Sequence, residues 1–237
     1  MQLKRKTARR TAAVVPLQLR RPVRKPWYEM DGPRGMTSET YEIVKRGVDI
    51  VAALLAMPVV LPVLALCAVA IKLDSPGPAF FTQQRTGKGG RRFRMFKMRT
   101  MFANAEELKQ KYMHLNELDP PDFKISDDPR ITRVGKFLRK TSLDELPQIL
   151  NVLLGDMSLV GPRPTSFASS TYDLWHTARL ESKPGLTGLW QVSGRNELGF
   201  NDRVRLDVAY RRNRSWWLDT QIVVRTFGAV FTARGAN

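Results

Sequence analysis

Two adjacent carboxylates, Asp144 and Glu145, form the centre of the stretch of this sequence that is best equipped for chemistry. The stretch covers residues 139–164 and reads RKTSLDELPQILNVLLGDMSLVGPRP. Arg139 lies in a basic pair before the two acids, and a rigid Gly-Pro-Arg-Pro turn that contains Arg163 follows them. Carboxylates, guanidinium groups and a fixed turn within so short a span suit the binding of metal ions and phosphates.

A purely structural interpretation of the same residues is also available. Ser142 and Glu145 have the spacing of a capping box, and both acids would favour the positive end of a helix dipole. Pro147 argues against a regular helix start, because proline is tolerated only in the first turn. The helix must therefore begin late or bend. Neighbouring like charges raise the pKa of one carboxyl unless a cation neutralises them, so a divalent metal would suit the pair.

The overall charge of the chain points to an anionic partner. Lys and Arg total 39 against 22 Asp and Glu, and the resulting net charge of +17 suits nucleic acid, anionic lipid or a phosphorylated substrate. The length of 237 residues allows one sizeable domain. Cys67 is the single cysteine, which excludes an intrachain disulfide and argues against a cysteine-based zinc site.

The first 36 residues are basic and lack a hydrophobic period. They contain ten Lys and Arg against Glu29 and Asp31, and four prolines interrupt them. We expect this tail to be largely disordered. It would act either as an electrostatic tether to anionic lipid or as a solvated arm without a specific role.

Residues 50–71 contain no charge, and an apolar run of 22 residues is long enough to cross a bilayer as a helix. Pro58 and Pro62 lie near its middle, and each removes a backbone donor and favours a bend. Basic residues flank the run on both sides, so a single span would place one basic flank outside, against the positive-inside rule. We therefore favour a bent, re-entrant helix over a single span.

Residues 75–101 predict a basic β-hairpin. Strands are expected at 79–85 and 91–99, with a Gly-Lys-Gly-Gly turn between them. Seven basic side chains and no acid lie between Arg85 and Arg99, which suits a phosphate-binding surface or a solvated edge. The turn lacks the spacing of a Walker A loop.

The remaining segments read mainly as helices. Helical patterns occur at 103–116, 131–140, 166–182, 202–212 and 216–231, and residues 183–196 form a glycine-rich loop that would let backbone approach a ligand. The pair Trp216 and Trp217 suits either the membrane interface or the edge of the core.

Five motifs in order resemble the bacterial sugar transferases, also called polyprenyl-phosphate hexose-1-phosphate transferases or monotopic phosphoglycosyl transferases. They are KRGVDI before the Pro-broken apolar run, FTQQRTG, MFKMRTM, SLDELPQILNVLLGDMSLVGPRP and PGLTGLWQVSGRN, within about residues 41–235. The chain is most similar to the short type that initiates exopolysaccharide synthesis. The resemblance implies transfer of a sugar 1-phosphate from a UDP-sugar to undecaprenyl phosphate, with release of UMP.

The resemblance also implies roles for particular residues. Asp144 would be the nucleophile that forms a phosphosugar-aspartyl intermediate, and Glu145 would share in Mg²⁺ binding with Asp144 or position the lipid phosphate. Arg163 would contact the nucleotide or diphosphate, and Arg139 would lie near the site. Weaker assignments to substrate binding fall on Lys97, Arg99 and Arg195.

Together these observations predict an α+β, mostly helical monotopic membrane protein with a re-entrant helix, a β-hairpin and interfacial amphipathic helices. We expect a basic tail at 1–40 and a transferase domain at 41–237, in which the re-entrant helix covers about 48–72 and the catalytic part 73–237. The expected location is the cytoplasmic face of the bacterial inner membrane, with anionic lipid as a partner, no nucleic acid, and a homo-oligomer allowed. The alternative is a basic membrane-associated scaffold or a nucleic-acid-binding protein without catalysis. The uncharged apolar run disfavours the nucleic-acid-binding protein, and the presence of Asp144, Glu145 and Arg163 disfavours the scaffold.

Overall fold

The fold is a set of helices around two small sheets, and a long apolar helix precedes them in the chain. The computed structural model describes residues 26–29, 38–117, 125, 127–168, 172–194 and 198–231. Most of the predicted tail therefore lies outside the described residues, as does Arg195. The mixture of helices and strands confirms the predicted α+β class.

The elements follow one another in a simple order. The α-helices are α1 (Ser38–Asp74), α2 (Glu107–Lys111), α3 (Arg133–Thr141), α4 (Ile149–Leu154), α5 (Phe200–Asn213) and α6 (Trp216–Phe231). The strands are β1 (Phe80–Thr86), β2 (Arg92–Met98), β3 (Ser158–Val160) and β4 (Gly185–Thr187), and the longer 3-10 helices are Leu143–Gln148 and Leu174–Glu181.

The helix α1 contains the whole apolar run. Its part Glu39–Asp74 is long and apolar enough to cross a membrane, with a mean hydropathy of 2.7 in a window of which only 17% is buried. The helix continues through Pro58 and Pro62, so neither proline ends it, and the bend stays a prediction. Most of its large apolar side chains remain exposed, as expected of a helix whose solvent is lipid.

Both ends of α1 are attached to the rest of the protein. Near the first end, the Asp49 carboxylate accepts a hydrogen bond from the backbone N–H of Leu159 at 3.1 Å. At the other end, the Asp74 carboxylate accepts one from the backbone N–H of Val134 at 3.0 Å. The two flanks of the apolar run therefore meet the same globular unit.

The predicted hairpin is confirmed, and all four strand ends lie within one residue of their predicted positions. Strands β1 and β2 pair antiparallel from Phe80 opposite Met98 to Thr86 opposite Arg92. Side chains alternate along β2, where Phe93 and Met95 are buried while Arg92 and Arg94 are exposed, as a strand with one packed face requires.

The other predicted helices are confirmed to different degrees. The patterns at 131–140, 202–212 and 216–231 correspond to α3, α5 and α6. The helix predicted at 103–116 is shorter, since α2 covers only Glu107–Lys111 and a 3-10 turn follows it. Within the part of 166–182 that is described, the helix is of the 3-10 type and begins only at Leu174.

The short strands β3 and β4 hold the Gly-Pro-Arg-Pro turn in place. They pair in parallel, and the Gly161 N–H donates to the Thr187 carbonyl while the Gly185 N–H donates to the Pro162 carbonyl, both at 2.9 Å. A Cβ on Gly185 would lie 2.1 Å from the Gly161 nitrogen, and a Cβ on Gly161 would lie 2.3 Å from the Lys183 carbonyl oxygen. Gly185 of the predicted ligand loop and Gly161 of the turn therefore allow the two backbone segments to approach each other closely, which places the turn that carries Arg163.

Two hydrophobic clusters join these elements. The first contains the buried face of α1 with β2, α3 and α4, and the second contains α5, α6 and Val160. Leu159 packs against both clusters. The last helix is also attached to the first, because the Asp219 carboxylate accepts hydrogen bonds from Tyr41 at 2.7 Å and from Lys45 at 2.6 Å.

We predict that Gly185→Ala destabilises the protein by at least about 2 kcal/mol, since its Cβ would meet rigid backbone on three sides. The melting temperature followed by tryptophan fluorescence should fall by about 5 °C or more. Gly47→Ala is the matched control, because no atom lies within 4 Å of a Cβ at that helical position. Equal melting temperatures of the two variants would contradict this account of the turn.

Candidate functional site

The acid pair lies in a 3-10 helix that follows directly on α3. Ser142 adopts a left-handed conformation, with φ of 58°, and turns the chain from α3 into the segment Leu143–Gln148. The Ser142 side chain makes no capping hydrogen bond, so the capping-box interpretation is wrong. The regular helix α4 begins only at Ile149, two residues after Pro147, which confirms the predicted late start.

Cations from two other parts of the chain meet the two carboxylates. The Arg163 guanidinium binds Glu145 through two hydrogen bonds, from Nη1 to Oε2 at 3.0 Å and from Nη2 to Oε1. The Lys97 ammonium lies 3.0 Å from Glu145 Oε1 and 3.5 Å from Asp144 Oδ2. The structure therefore brings together four of the residues that the sequence pointed to.

A buried amide holds the Lys97 strand against the helix that follows the acid pair. Asn151 in α4 is fully buried, and its Nδ2 donates to the Arg94 carbonyl at 2.8 Å. Its Oδ1 accepts a hydrogen bond from the Phe96 N–H at 3.0 Å. Asn151 thus binds β2 as a neighbouring strand would. The sequence analysis missed it, although an Asn within the apolar run ILNVLL was a usable signal.

A second buried contact supports Arg163 from the other side. Arg179 Nη2 donates to the Arg163 carbonyl at 2.8 Å and lies 2.5 Å from Oδ2 of Asp207 in α5. Arg179 is 5% exposed and Asp207 is fully buried. Both residues escaped the sequence analysis, because nothing local distinguishes them from surface charges on helices.

The two carboxyls differ in pKa although they are neighbours. Burial acts to raise the pKa of Glu145, but the charges of Arg163 and Lys97 outweigh it and hold this pKa well below its usual value. Burial raises the pKa of Asp144, and the Glu145 charge adds to the effect, while Lys97 only partly offsets it. Glu145 is the carboxylate stabilised by cations, whereas Asp144 retains unsatisfied negative charge when ionised.

The pair also suits a divalent cation. Mg²⁺ in phosphate-processing sites is usually bound by one or two carboxylates together with substrate phosphate and water. Among the described residues, no cluster of three or more His, Cys, Asp or Glu suits a metal ion, so the protein would supply two oxygen ligands at most. Asp144 fits this role best, because both Glu145 oxygens already accept hydrogen bonds from Arg163.

The other predicted binding residues have different surroundings. Arg139 Nε donates to Thr100 Oγ1 at 2.9 Å, and its charge acts on Asp144. Arg99 Nη2 donates to the Ser75 carbonyl at 2.7 Å and Nη1 to the Pro76 carbonyl, so this side chain binds the chain just beyond α1. The structure therefore does not bring Arg99 to the acid pair.

Comparison with known proteins gives consistent matches. A family described as bacterial sugar transferase matches residues 40–233. The chain is 45% identical over 197 residues to the galactosyl transferase CpsE of Streptococcus agalactiae, covering 82% of this chain and 44% of that protein. It is 40% identical over 201 residues to the exopolysaccharide production protein ExoY of Sinorhizobium fredii, covering 82% and 88%. A UDP-glucose:undecaprenyl-phosphate glucose-1-phosphate transferase of Caulobacter vibrioides is 44% identical over 207 residues, covering 82% and 72%. The chain thus spans less than half the length of the first of these relatives.

We predict that Arg179→Met destabilises the protein at neutral pH by about 3–5 kcal/mol and that acidification relieves much of this loss. Burial raises the pKa of Asp207 to about 6 even with Arg179 beside it, and the pKa rises further without that cation. The pKa of Asp207 is higher in the folded state than in the unfolded state. The protein therefore loses stability as the pH rises through the folded-state pKa of Asp207 and recovers it at lower pH.

Melting temperatures of the Arg179→Met variant at pH 7.5 and pH 5 test this prediction. In the double variant Arg179→Met/Asp207→Asn, the destabilisation should no longer depend on pH in this way, because Asn does not titrate. A destabilisation of Arg179→Met that is the same at both pH values would contradict the role given to Asp207.

Proposed function

The chain belongs to the bacterial sugar transferase family, and from this premise we propose that it transfers a sugar 1-phosphate from a UDP-sugar to undecaprenyl phosphate. The observation that carries the proposal is that the two neighbouring acids differ in the cations that bind them. Glu145 is bound by Arg163 and Lys97, while Asp144 has only the longer contact of 3.5 Å with Lys97 among the ion pairs of the described residues. Such a carboxylate is a suitable nucleophile for a phosphoryl group.

The proposed reaction has two displacements at one phosphorus atom. An Asp144 oxygen attacks the phosphorus that carries the sugar, and the bond from this phosphorus to the bridging oxygen breaks. UMP leaves with the electron pair, and a phosphosugar-aspartyl intermediate forms. An oxygen of the lipid phosphate then attacks the same phosphorus, the bond to Asp144 breaks, and the carboxylate is regenerated. The product is an undecaprenyl diphosphate sugar.

The surrounding cations would stabilise the charge that develops during these steps. Lys97 lies close to both carboxylates and would contact the phosphoryl oxygens near Asp144. Arg139 adds a positive charge on the Asp144 side, and Arg163 remains fixed by Glu145 and by its carbonyl contact with Arg179. Mg²⁺, when bound by Asp144 with the substrate phosphates, would neutralise phosphate charge.

The lipid acceptor requires a site at the membrane surface. Exposed apolar side chains occur along α1 and also on the elements that carry or flank the acid pair, namely Phe137 in α3 and Leu150 and Leu154 in α4. The attachment of both flanks of the apolar run to one globular unit supports a re-entrant arrangement. The basic residues on both flanks favour the cytoplasmic side of the inner membrane. Anionic lipid would then face the basic flanks.

We predict that Asp144→Asn lowers UMP release from a UDP-sugar by at least about 1,000-fold, because the amide cannot act as the nucleophile. UDP-glucose, UDP-galactose and UDP-N-acetylgalactosamine with undecaprenyl phosphate form the assay panel. Asp156→Asn is the control, since Asp156 makes only a peripheral ion pair with Arg91 and should retain activity. Substantial turnover by purified Asp144→Asn enzyme would refute the proposal.

We also predict that Lys97→Met moves the acid limb of the kcat/KM profile to higher pH. Asp144 must be ionised to attack, and the Lys97 charge lowers the Asp144 pKa that burial has raised. Removing Lys97 therefore raises this pKa further, and activity is lost earlier on acidification. Arg94→Gln, which removes an exposed charge from the same strand, should leave the limb in place. A uniform fall in activity with an unmoved limb would limit Lys97 to substrate binding.

For the membrane topology, we predict that both ends of α1 face the cytoplasm. Cysteines introduced at the exposed positions Glu39 and Leu73, in a Cys67→Ala background, should resist a membrane-impermeant thiol reagent in intact cells. Both should react in inverted membrane vesicles. Labelling of one position alone in intact cells would show that α1 spans the membrane once.

A further inference from the structure

Arg85, in β1, carries a guanidinium group whose charge has no carboxylate partner among the described residues. Its Nη2 donates to the neutral Gln83 Oε1 at 2.6 Å. Its Nε is buried and has no acceptor. A half-buried cation that lacks a counter-ion and leaves a buried donor unused is costly, so its placement suggests that an anion completes the site.

Two buried arginines of the fold have carboxylate partners within the protein, whereas a third, Arg99, binds backbone carbonyls and also leaves its Nε without an acceptor. Arg130 forms a two-pronged ion pair with Asp128, with contacts of 2.9 and 2.7 Å. Arg179 is paired with Asp207. Arg85 differs from Arg130 and Arg179 because burial, together with the like charge of Arg163, lowers its pKa to about 10, and the opposing effect of Glu145 does not restore it.

The position of Arg85 relative to the acid pair is defined by its neighbours. The next residue, Thr86, donates its N–H to the Thr165 carbonyl at 2.9 Å, which brings the end of β1 against the turn that carries Arg163. The charges of Arg163 and Glu145 act on Arg85, whereas those on Asp144 come chiefly from Lys97, Glu145 and Arg139. Arg85 thus lies on the Arg163 side of the site.

The total charge of the site leaves room for a diphosphate. Lys97, Arg139, Arg163 and Arg85 contribute four positive charges, and the two carboxylates neutralise only two of them. A nucleoside diphosphate sugar carries two negative charges on its diphosphate, which matches the surplus.

We propose that Arg85 binds the phosphate that leaves with the nucleoside, and so recognises a nucleoside monophosphate as the leaving group. The inference rests on the proposed function. In an in-line displacement the leaving oxygen lies opposite the nucleophile. The end of β1 that carries Arg85 lies against the turn of Arg163, so Arg85 is available to the leaving phosphate. The free Nε and the outer edge of the guanidinium supply the donors for one phosphate.

Calorimetric titration of the full chain in nanodiscs with UMP and with uridine tests the assignment. The wild-type chain should bind UMP more tightly than uridine. Arg85→Gln should bind UMP about 10- to 100-fold more weakly while its affinity for uridine is unchanged. Arg85→Lys keeps the charge but not the planar fork, and should bind UMP with an intermediate loss.

Arg94→Gln is the matched control, because it removes one exposed positive charge from the same hairpin and should bind both ligands as the wild type does. Wild-type UMP affinity in Arg85→Gln would overturn the inference. An equal loss of UMP and uridine affinity would also overturn it, as this result indicates a structural role. If Arg85→Gln does not fold, Arg85→Lys tests the inference in the same way, through its loss of affinity for UMP relative to its affinity for uridine. Failure of the wild type to release UMP in the transfer assay would instead refute the proposed function.

Discussion

The burial of two adjacent carboxylates is the constraint on which the rest of this structure depends. Asp144 and Glu145 follow one another in a tight 3-10 helix, and both lose most of their contact with water. Ionised carboxylates tolerate such burial only beside cations. The fold meets this requirement by bringing Lys97 and Arg163 from two distant segments, and the uneven distribution of these cations gives the neighbouring acids different pKa values.

Backbone contacts and buried polar groups, more than hydrophobic packing alone, place these cations. Gly185 of β4 admits the Gly-Pro-Arg-Pro turn, and the Arg179–Asp207 pair holds the carbonyl of Arg163. Asn151 performs the same function for the strand of Lys97. These contacts are short-ranged and fully buried, so small displacements cost free energy, and a phosphoryl-transfer site requires this rigidity.

The sequence predicted the features that depend on local pattern. The hairpin, α3, α5, α6 and the long apolar helix follow from periodicity, and the cluster of Asp144, Glu145, Lys97 and Arg163 followed from motif resemblance. Arg179 and Asp207 could not be assigned, because their partners are 16 or more residues away in the chain and only packing reveals them. Asn151 was missed although it is the single polar residue in the run ILNVLL. Arg99 lies two residues after Lys97 in the chain, but its guanidinium binds the Ser75 and Pro76 carbonyls beyond α1.

The central claim is that Asp144 accepts the sugar phosphate covalently. The most direct measurement is peptide mass spectrometry of the enzyme after incubation with a UDP-sugar in the absence of lipid. We expect a mass increase of one sugar phosphate on the peptide that contains Asp144, removed on addition of undecaprenyl phosphate and absent from Asp144→Asn. Transfer by the wild type without any adduct at this peptide, or an adduct on another residue, would contradict the account.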